Sequence, residues 1–139
     1  MPRIERTADV VWEGNLARGT GHITGGSGAL DALPYSLPTR VGRPDGKTSP
    51  EELLAAAHGG CLTMSLAGEL TEAGSPPERL EVTCRIVMDE VEGAGHQIVA
   101  SQVTIRGTDD RAAVERADAG CPFSTLLRNA GVDVTVELG

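Results

Sequence analysis

One segment of 16 residues without a charged side chain, Leu53–Gly68, constrains the fold more than any other part of the sequence. The residues before it predict a helix start, since Ser49 suits the N-cap, Pro50 the first helical position and Glu52 the last position of a capping box. A helix that begins there and ends near Gly74 has no solvent face over about four turns. We therefore expect protein to surround this helix on nearly all sides.

A lipid bilayer is a poor environment for this segment. Sixteen uncharged residues are fewer than the roughly 20 that a spanning helix needs, and His58-Gly59-Gly60 would be costly in lipid. A chain of 139 residues whose other elements are narrow hairpins has trouble enclosing such a helix alone. We predict a homodimer in which a second subunit covers the helix, and a stable monomer in gel filtration would exclude it.

Alternating apolar and polar residues predict strands on both sides of the helix, with Val10 facing inward in the first strand. Residues 41–48 are rich in Gly, Pro and charge and predict a loop. The other predicted elements are strands over 8–12, 16–24, 29–37, 80–89, 99–105 and 132–138, and short helices over 111–119 and 122–129. The order is β-β-β-α-β-β-α-α-β, an α+β fold in one domain over residues 1–139.

Charge and composition exclude several classes of function. Twenty acidic and twelve basic residues give a net charge of −8, which disfavours binding to nucleic acid. The first twenty residues contain no apolar stretch of signal-peptide length, and we expect a cytoplasmic protein. With one Trp, one Tyr and one Phe, the core must use Val, Leu, Ile and Ala.

Three cysteines fit no disulfide framework, because an odd count in a reducing compartment indicates free thiols, a metal site or redox chemistry. Cys84 lies on the apolar stripe of a predicted strand and is expected to pack as a small hydrophobe. Cys61 lies in mid-helix beside two glycines that leave room for a small molecule or a second thiol, although core packing also explains it. Cys121 precedes Pro122, where the free N–H groups of a helix start would stabilise a thiolate, although a plain helix break explains these residues equally well.

A thiolate at Cys61 needs a cation, because the field of a helix dipole does not reach mid-helix. Arg40, just before the loop that leads into the helix, is one candidate, and Glu51 could hold its guanidinium in a bidentate pair. Zinc is a rival interpretation, because His58 and Cys61 share one helix face and Cys121 would add a third ligand. The spacing matches no standard zinc motif, and no fourth ligand is evident.

Two motifs resemble the OsmC/Ohr family of thiol peroxidases. The first is TSPEELLAAAHGGCLTMSL over Thr48–Leu66, and the second is AGCPFS over Ala119–Ser124. Val11–Gly14 and Pro34–Arg40 are also similar to the OsmC branch. The resemblance runs from near residue 8 to the C-terminus. It implies a single OsmC-like domain in an intertwined homodimer, with antiparallel sheets wrapped around long buried central helices and two active sites at the subunit interface.

The resemblance also implies a peroxidase that reduces organic hydroperoxides to alcohols, and hydrogen peroxide less well. Matched by motif, Cys61 is the peroxidatic cysteine, Cys121 the resolving one, Arg40 the active-site arginine and Glu51 its carboxylate partner, while Cys84 matches no motif. Cys61 would become a sulfenic acid, which Cys121 converts to a disulfide. An external dithiol, such as a lipoylated protein, would reset the pair. No haem, flavin or metal is implied.

Two other functions remain open from the residues alone. The apolar helix could line a pocket for a lipid or another small ligand, with non-catalytic cysteines, or the chain could be a zinc-stabilised structural protein. For the peroxidase, we expect Leu, Met and Ala side chains near Cys61, together with Phe123, to line an apolar substrate pocket.

Overall fold

A computed structural model of the chain describes residues 2–139. The chain divides into two compact units, the first ending at Pro50 and the second running from Glu51 to Gly139. The elements are, in chain order, β1 (Ala8–Glu13), β2 (Thr20–Gly25), β3 (Leu33–Tyr35), α1 (Leu37–Val41), α2 (Pro50–Glu72), β4 (Glu81–Val91), β5 (Gly95–Arg106), α3 (Arg111–Gly120), α4 (Pro122–Asn129) and β6 (Asp133–Leu138). The predicted α+β order is confirmed, with the short helix α1 as an addition.

The first unit contains a three-stranded antiparallel sheet in the order β1-β2-β3. Val10 on β1 pairs with Ile23 on β2, and Ile23 is buried. Val10 itself is 55% exposed, so the prediction that it faces inward is wrong within this chain. The reason is its position, because β1 is the edge strand of a small sheet and all six of its residues are exposed.

Helix α1 lies in a stretch that the sequence analysis assigned to the end of a strand and a loop. Ser36 is its N-cap, and the Ser36 Oγ accepts a hydrogen bond from the Thr39 N–H at 3.3 Å. Pro38 lies in the first turn, where its missing N–H leaves no bond unmade. Strand β3 is consequently much shorter than predicted. The start signal was present in the sequence, since Ser and Pro have the same roles at the predicted start of α2.

Helix α2 begins at Pro50 and ends at Glu72, as predicted, with Glu51 and Glu52 in its first turn. Four residues spaced four apart form its buried face, namely His58, Leu62, Leu66 and Leu70. The opposite side is open, and Met64 is 78% exposed. Burial within one chain is therefore confined to part of the helix surface. Among the helices of residues 2–139, none is both long and apolar enough to cross a membrane.

The sheet of the second unit has the order β4-β5-β6. Strands β4 and β5 form the predicted antiparallel hairpin, with a bulge between Val87 and Met88. Strand β6 pairs with β5 in parallel, since α3 and α4 form the crossover that parallel neighbours require. The main core joins α2, β5 and α3 through the buried residues Leu62, Leu66, Leu70, Val103, Ile105, Ala113, Val114, Ala117 and Cys121.

The two short helices meet at Cys121. Asp110 caps α3, and its Oδ1 accepts a hydrogen bond from the Ala113 N–H at 3.0 Å. Cys121 is both the C-cap of α3 and the N-cap of α4. Its backbone is extended, with φ −81° and ψ 115°. The chain thus bends at this cysteine, and its sulfur is positioned by the ends of two helices.

Candidate active site

The two motif cysteines are neighbours in the second unit, although they are 60 positions apart in the sequence. Cys61 lies in the middle of α2 and is half-buried, whereas Cys121 is fully buried. The Cys61 side chain packs against the core that contains Cys121, and Cys121 acts on the ionisation of Cys61. Both are free thiols. The fold therefore brings an accessible thiol next to a buried one.

The surroundings of Cys61 within this unit favour its neutral form. Burial raises the pKa of the Cys61 thiol, and the neighbouring Cys121 side chain raises that pKa further. The backbone of Phe123 lowers the pKa of Cys61 and partly opposes this rise. A reactive thiolate at this position therefore requires an additional positive charge.

The start of α4 acts on Cys61 and not on Cys121. The prediction that Cys121 is the N-cap is confirmed, but its side chain makes no capping hydrogen bond, so the predicted contact of its sulfur with the helix start is wrong. The physical reason is that the Cys121 side chain is buried in the apolar core. The backbone of Phe123, in the first turn of α4, lowers the pKa of Cys61 instead.

A buried polar cluster lies one helical turn before Cys61. His58 is fully buried, and both of its ring nitrogens are hydrogen-bonded to serine hydroxyls. Its Nδ1 lies 2.6 Å from the Oγ of Ser101 on β5, and its Nε2 lies 2.8 Å from the Oγ of Ser124 on α4. A neutral imidazole has one donor and one acceptor, and a hydroxyl can serve either. His58 thus connects α2 to a strand and to the helix that follows Cys121.

The zinc interpretation does not fit this geometry. Both ring nitrogens of His58 are already used by Ser101 and Ser124, so neither is directed at a metal together with Cys61 and Cys121. Within residues 2–139, no group of three or more His, Cys, Asp and Glu side chains is arranged to hold a metal ion. His58 is a hydrogen-bonded core residue.

Cys84 packs as predicted, on the inward side of β4 and against the main core. Its Sγ lies 3.4 Å from the Oγ of Ser101 and 3.8 Å from the Nδ1 of His58. Ser101 lies within a predicted strand and Ser124 within the second motif, but neither was assigned a role. The alternation around Ser101 and the motif position of Ser124 were the available signals. The sequence does not show that both serines share His58 as a partner.

The buried imidazole predicts a pH dependence of stability. Burial lowers the pKa of His58 below its ordinary value of 6.5, with a raising effect of Asp118 and a lowering effect of Arg128. As the pH falls below 6.5, the unfolded chain binds a proton that the folded chain resists, so the free energy of unfolding decreases, by at most about 1.4 kcal/mol per pH unit. Urea unfolding at several pH values below 6.5 measures this decrease in the free energy of unfolding.

The control for that prediction is an exposed histidine. The His58→Gln protein should lose this part of the pH dependence, whereas the His96→Gln protein should keep it, because His96 is exposed on β5. Equal pH dependence in the two variants would contradict the role given to His58.

Arg40 and Glu51 lie in different units. Arg40 is exposed in the last turn of α1, where it lines a cavity of about 330 Å³ with Trp12, Tyr35 and neighbouring apolar residues. The two aromatic rings meet edge to face, with centroids 5.6 Å apart. Glu51 lies in the first turn of α2. The pairing of Arg40 with Glu51, and its action on Cys61, stay predictions.

Comparison with known proteins identifies the family. A family model described as OsmC-like protein matches residues 43–137. Peroxiredoxin OsmC of Escherichia coli is 36% identical over 132 residues, which cover 90% of this chain and 91% of that protein. The chain belongs to the OsmC/Ohr family. The range matched by the family model includes Glu51, Cys61 and Cys121 and begins just after Arg40. The resemblance stated from the two motifs is confirmed.

Solved structures of OsmC/Ohr proteins share this fold. The organic hydroperoxide resistance protein OhrB of Bacillus subtilis has a TM-score of 0.72 at 28% identity, covering 96% of this chain and 98% of that one. An OsmC-like protein of unknown function from Vibrio cholerae has a TM-score of 0.78 at 14% identity, covering 99% and 100%. The second comparison concerns the fold alone.

Proposed function

We propose that the protein is a thiol-dependent peroxidase that reduces organic hydroperoxides to alcohols, and hydrogen peroxide less efficiently. The observation that carries this proposal is that the half-buried Cys61 packs against the core that contains the buried Cys121. An accessible thiol beside a second thiol is what a cycle of sulfenic acid and disulfide needs. Relatives named peroxiredoxin OsmC and organic hydroperoxide resistance protein support the same activity.

In the first step, the Cys61 thiolate attacks the terminal oxygen of the hydroperoxide. The O–O bond breaks, the alkoxide leaves and takes up a proton to become the alcohol, and Cys61 becomes a sulfenic acid. By motif, Arg40 supplies the positive charge that favours both the thiolate and the leaving alkoxide, and Glu51 orients its guanidinium. The backbone of Phe123 also lowers the pKa of Cys61.

In the second step, the thiol of Cys121 attacks the sulfenic sulfur of Cys61. An S–S bond forms, the S–O bond breaks, and the oxygen leaves as water. An external dithiol, of which a lipoylated protein is one kind, then reduces the disulfide by thiol–disulfide exchange. Neither a haem nor a flavin nor a metal takes part. Free thiols of this kind suit a cytoplasmic protein.

The working unit in this proposal is an intertwined homodimer. Two apolar surfaces of the single chain support it: Met64 on α2 is 78% exposed, and Val10 and Val11 on β1 are each 55% exposed. Contiguous exposed apolar surface is typical of interaction sites. A second copy of the chain would cover these surfaces. Leu, Met and Ala side chains near Cys61, with Phe123, would line an apolar substrate pocket.

Catalytic turnover tests the function. With an excess of a small dithiol, catalytic amounts of the protein should consume cumene hydroperoxide at least about tenfold faster than hydrogen peroxide, because an apolar pocket binds only the organic substrate. Loss of hydroperoxide is measured directly, and protein with alkylated thiols is the control. Consumption no faster than with the dithiol alone would favour the alternative, a small-ligand-binding module with non-catalytic cysteines.

A further inference from the structure

Two hydrogen bonds flank the cysteine pair at matched spacings. His58 lies three residues before Cys61 and is bonded to Ser124, which lies three residues after Cys121, at 2.8 Å. On the other side of the pair, the Oγ of Ser65 donates to the backbone carbonyl of Ala117 at 2.9 Å. Ser65 follows Cys61 by four residues, and Ala117 precedes Cys121 by four. The two helices next to Cys121 are thus each joined to α2.

These bonds bear on how Cys121 is held. Its own side chain makes no capping hydrogen bond, and its backbone is extended between α3 and α4. The position of its sulfur therefore depends on where those two helices begin and end. On the α4 side, the bond from His58 to Ser124 is fully buried, so water does not compete for it.

We propose that His58 is a positioning residue for the disulfide step, and that its hydrogen bond to Ser124 keeps the start of α4 at the distance from which the Cys121 thiol attacks the Cys61 sulfenic acid. This inference rests on the proposed peroxidase function. The reaction it assists forms the S–S bond, breaks the S–O bond and releases water, and His58 touches none of the reacting atoms. Its effect is on geometry, to which such reactions are sensitive, since a displacement of about 1 Å can cost about a hundredfold in rate.

The second partner of His58 supplies a matched control. Ser101 binds the Nδ1 of the same ring at 2.6 Å but belongs to β5, which does not carry Cys121. Ser124→Ala removes the bond to α4, whereas Ser101→Ala removes an equally buried serine from the same imidazole. If the ring only fills the core, both variants should behave alike. If it positions α4, only Ser124→Ala should slow disulfide formation.

Two substitutions at His58 give the same distinction without changing a serine. An asparagine amide reaches about as far as Nδ1, and a glutamine amide about as far as Nε2. His58→Asn should therefore keep a polar contact to Ser101 and lose the one to Ser124, while His58→Gln should do the reverse. This pair keeps the proposal testable if Ser124→Ala fails to fold.

The experiment mixes each reduced protein with one equivalent of cumene hydroperoxide, quenches at set times and measures two species by mass spectrometry. The sulfenic acid at Cys61 is trapped with a dione reagent, and the disulfide between Cys61 and Cys121 is counted in the same samples. Sulfenic acid should form equally fast in all proteins. Disulfide formation should be at least about tenfold slower in Ser124→Ala and His58→Asn, and within about threefold of wild type in Ser101→Ala and His58→Gln.

Other outcomes overturn the proposal. Equal disulfide rates in all five proteins, or equal slowing in all four variants, would show that the bond to Ser124 has no special effect on Cys121. Absence of both the sulfenic acid at Cys61 and the disulfide in the wild-type protein would instead remove the peroxidase function and this inference with it. With a second equivalent of hydroperoxide as the oxidant, a longer-lived sulfenic acid should also give more sulfinic acid in the two slow variants, a readout that a loss of stability alone does not change.

Discussion

The Cys61→Ser protein is expected to reduce organic hydroperoxides at least about a thousandfold more slowly than the wild type. A serine hydroxyl is not ionised near neutral pH, and the oxygen is a weak nucleophile toward a peroxide bond. The exchange of sulfur for oxygen is small in volume, so the half-buried site in α2 should remain folded. The measurement is kcat/KM for cumene hydroperoxide with excess dithiol.

The matched control for that prediction is Cys84→Ser. Cys84 is also half-buried, packs against the same core and matches no motif of the family. Its replacement should leave kcat/KM within about threefold of the wild type. A Cys61→Ser protein that works at the wild-type rate would show that the peroxidatic cysteine has been misassigned.

Arg40→Ala is expected to lower kcat/KM by about a hundredfold to a thousandfold, the usual effect of removing one charge that stabilises a transition state. The reason lies at Cys61, whose pKa is raised by burial and by Cys121, so that its thiolate depends on a nearby cation. Loss of the cation should raise the pKa of Cys61 further and reduce the thiolate fraction at neutral pH. The ultraviolet absorbance of the thiolate, titrated against pH, measures this shift.

Two further variants test the assignment of Arg40. Arg40→Lys keeps a charge but not the bidentate geometry, and it should recover part of the lost activity. Arg43→Ala, in the loop that follows α1, should keep full activity. If Arg40→Ala is fully active and Arg43→Ala is not, the role belongs to Arg43.

Light scattering should give a mass of two chains for the wild type and for Arg40→Ala, and a stable monomer would exclude the homodimer.

Local sequence signals predicted the elements that depend on neighbouring residues. The cap before Pro50 gave the start of α2. The same kind of capping signal is present at Ser36, but residues 29–37 were predicted as a strand, so α1 was not predicted. The inward position of Val10 could not be predicted from alternation alone, because alternation does not reveal whether another layer covers the strand.

The site itself depends on contacts between distant parts of the chain. The motifs identified Cys61 and Cys121, but neither spacing nor composition gives the effect of the Phe123 backbone on the pKa of Cys61, which follows from how α4 packs. The partners of His58 are 43 and 66 residues away, and no local pattern connects them. Such contacts are products of topology, and only the folded chain reveals them.

The proposed peroxidase function depends on a disulfide between Cys61 and Cys121 that forms in response to hydroperoxide. The most direct measurement treats the reduced protein with one equivalent of an alkyl hydroperoxide, blocks the remaining thiols and maps the cysteine peptides by mass spectrometry. Of the three thiols, one should remain, at Cys84, and the other two should be joined to each other. Three thiols still free after addition of the hydroperoxide, or a disulfide that contains Cys84, would contradict the proposed function.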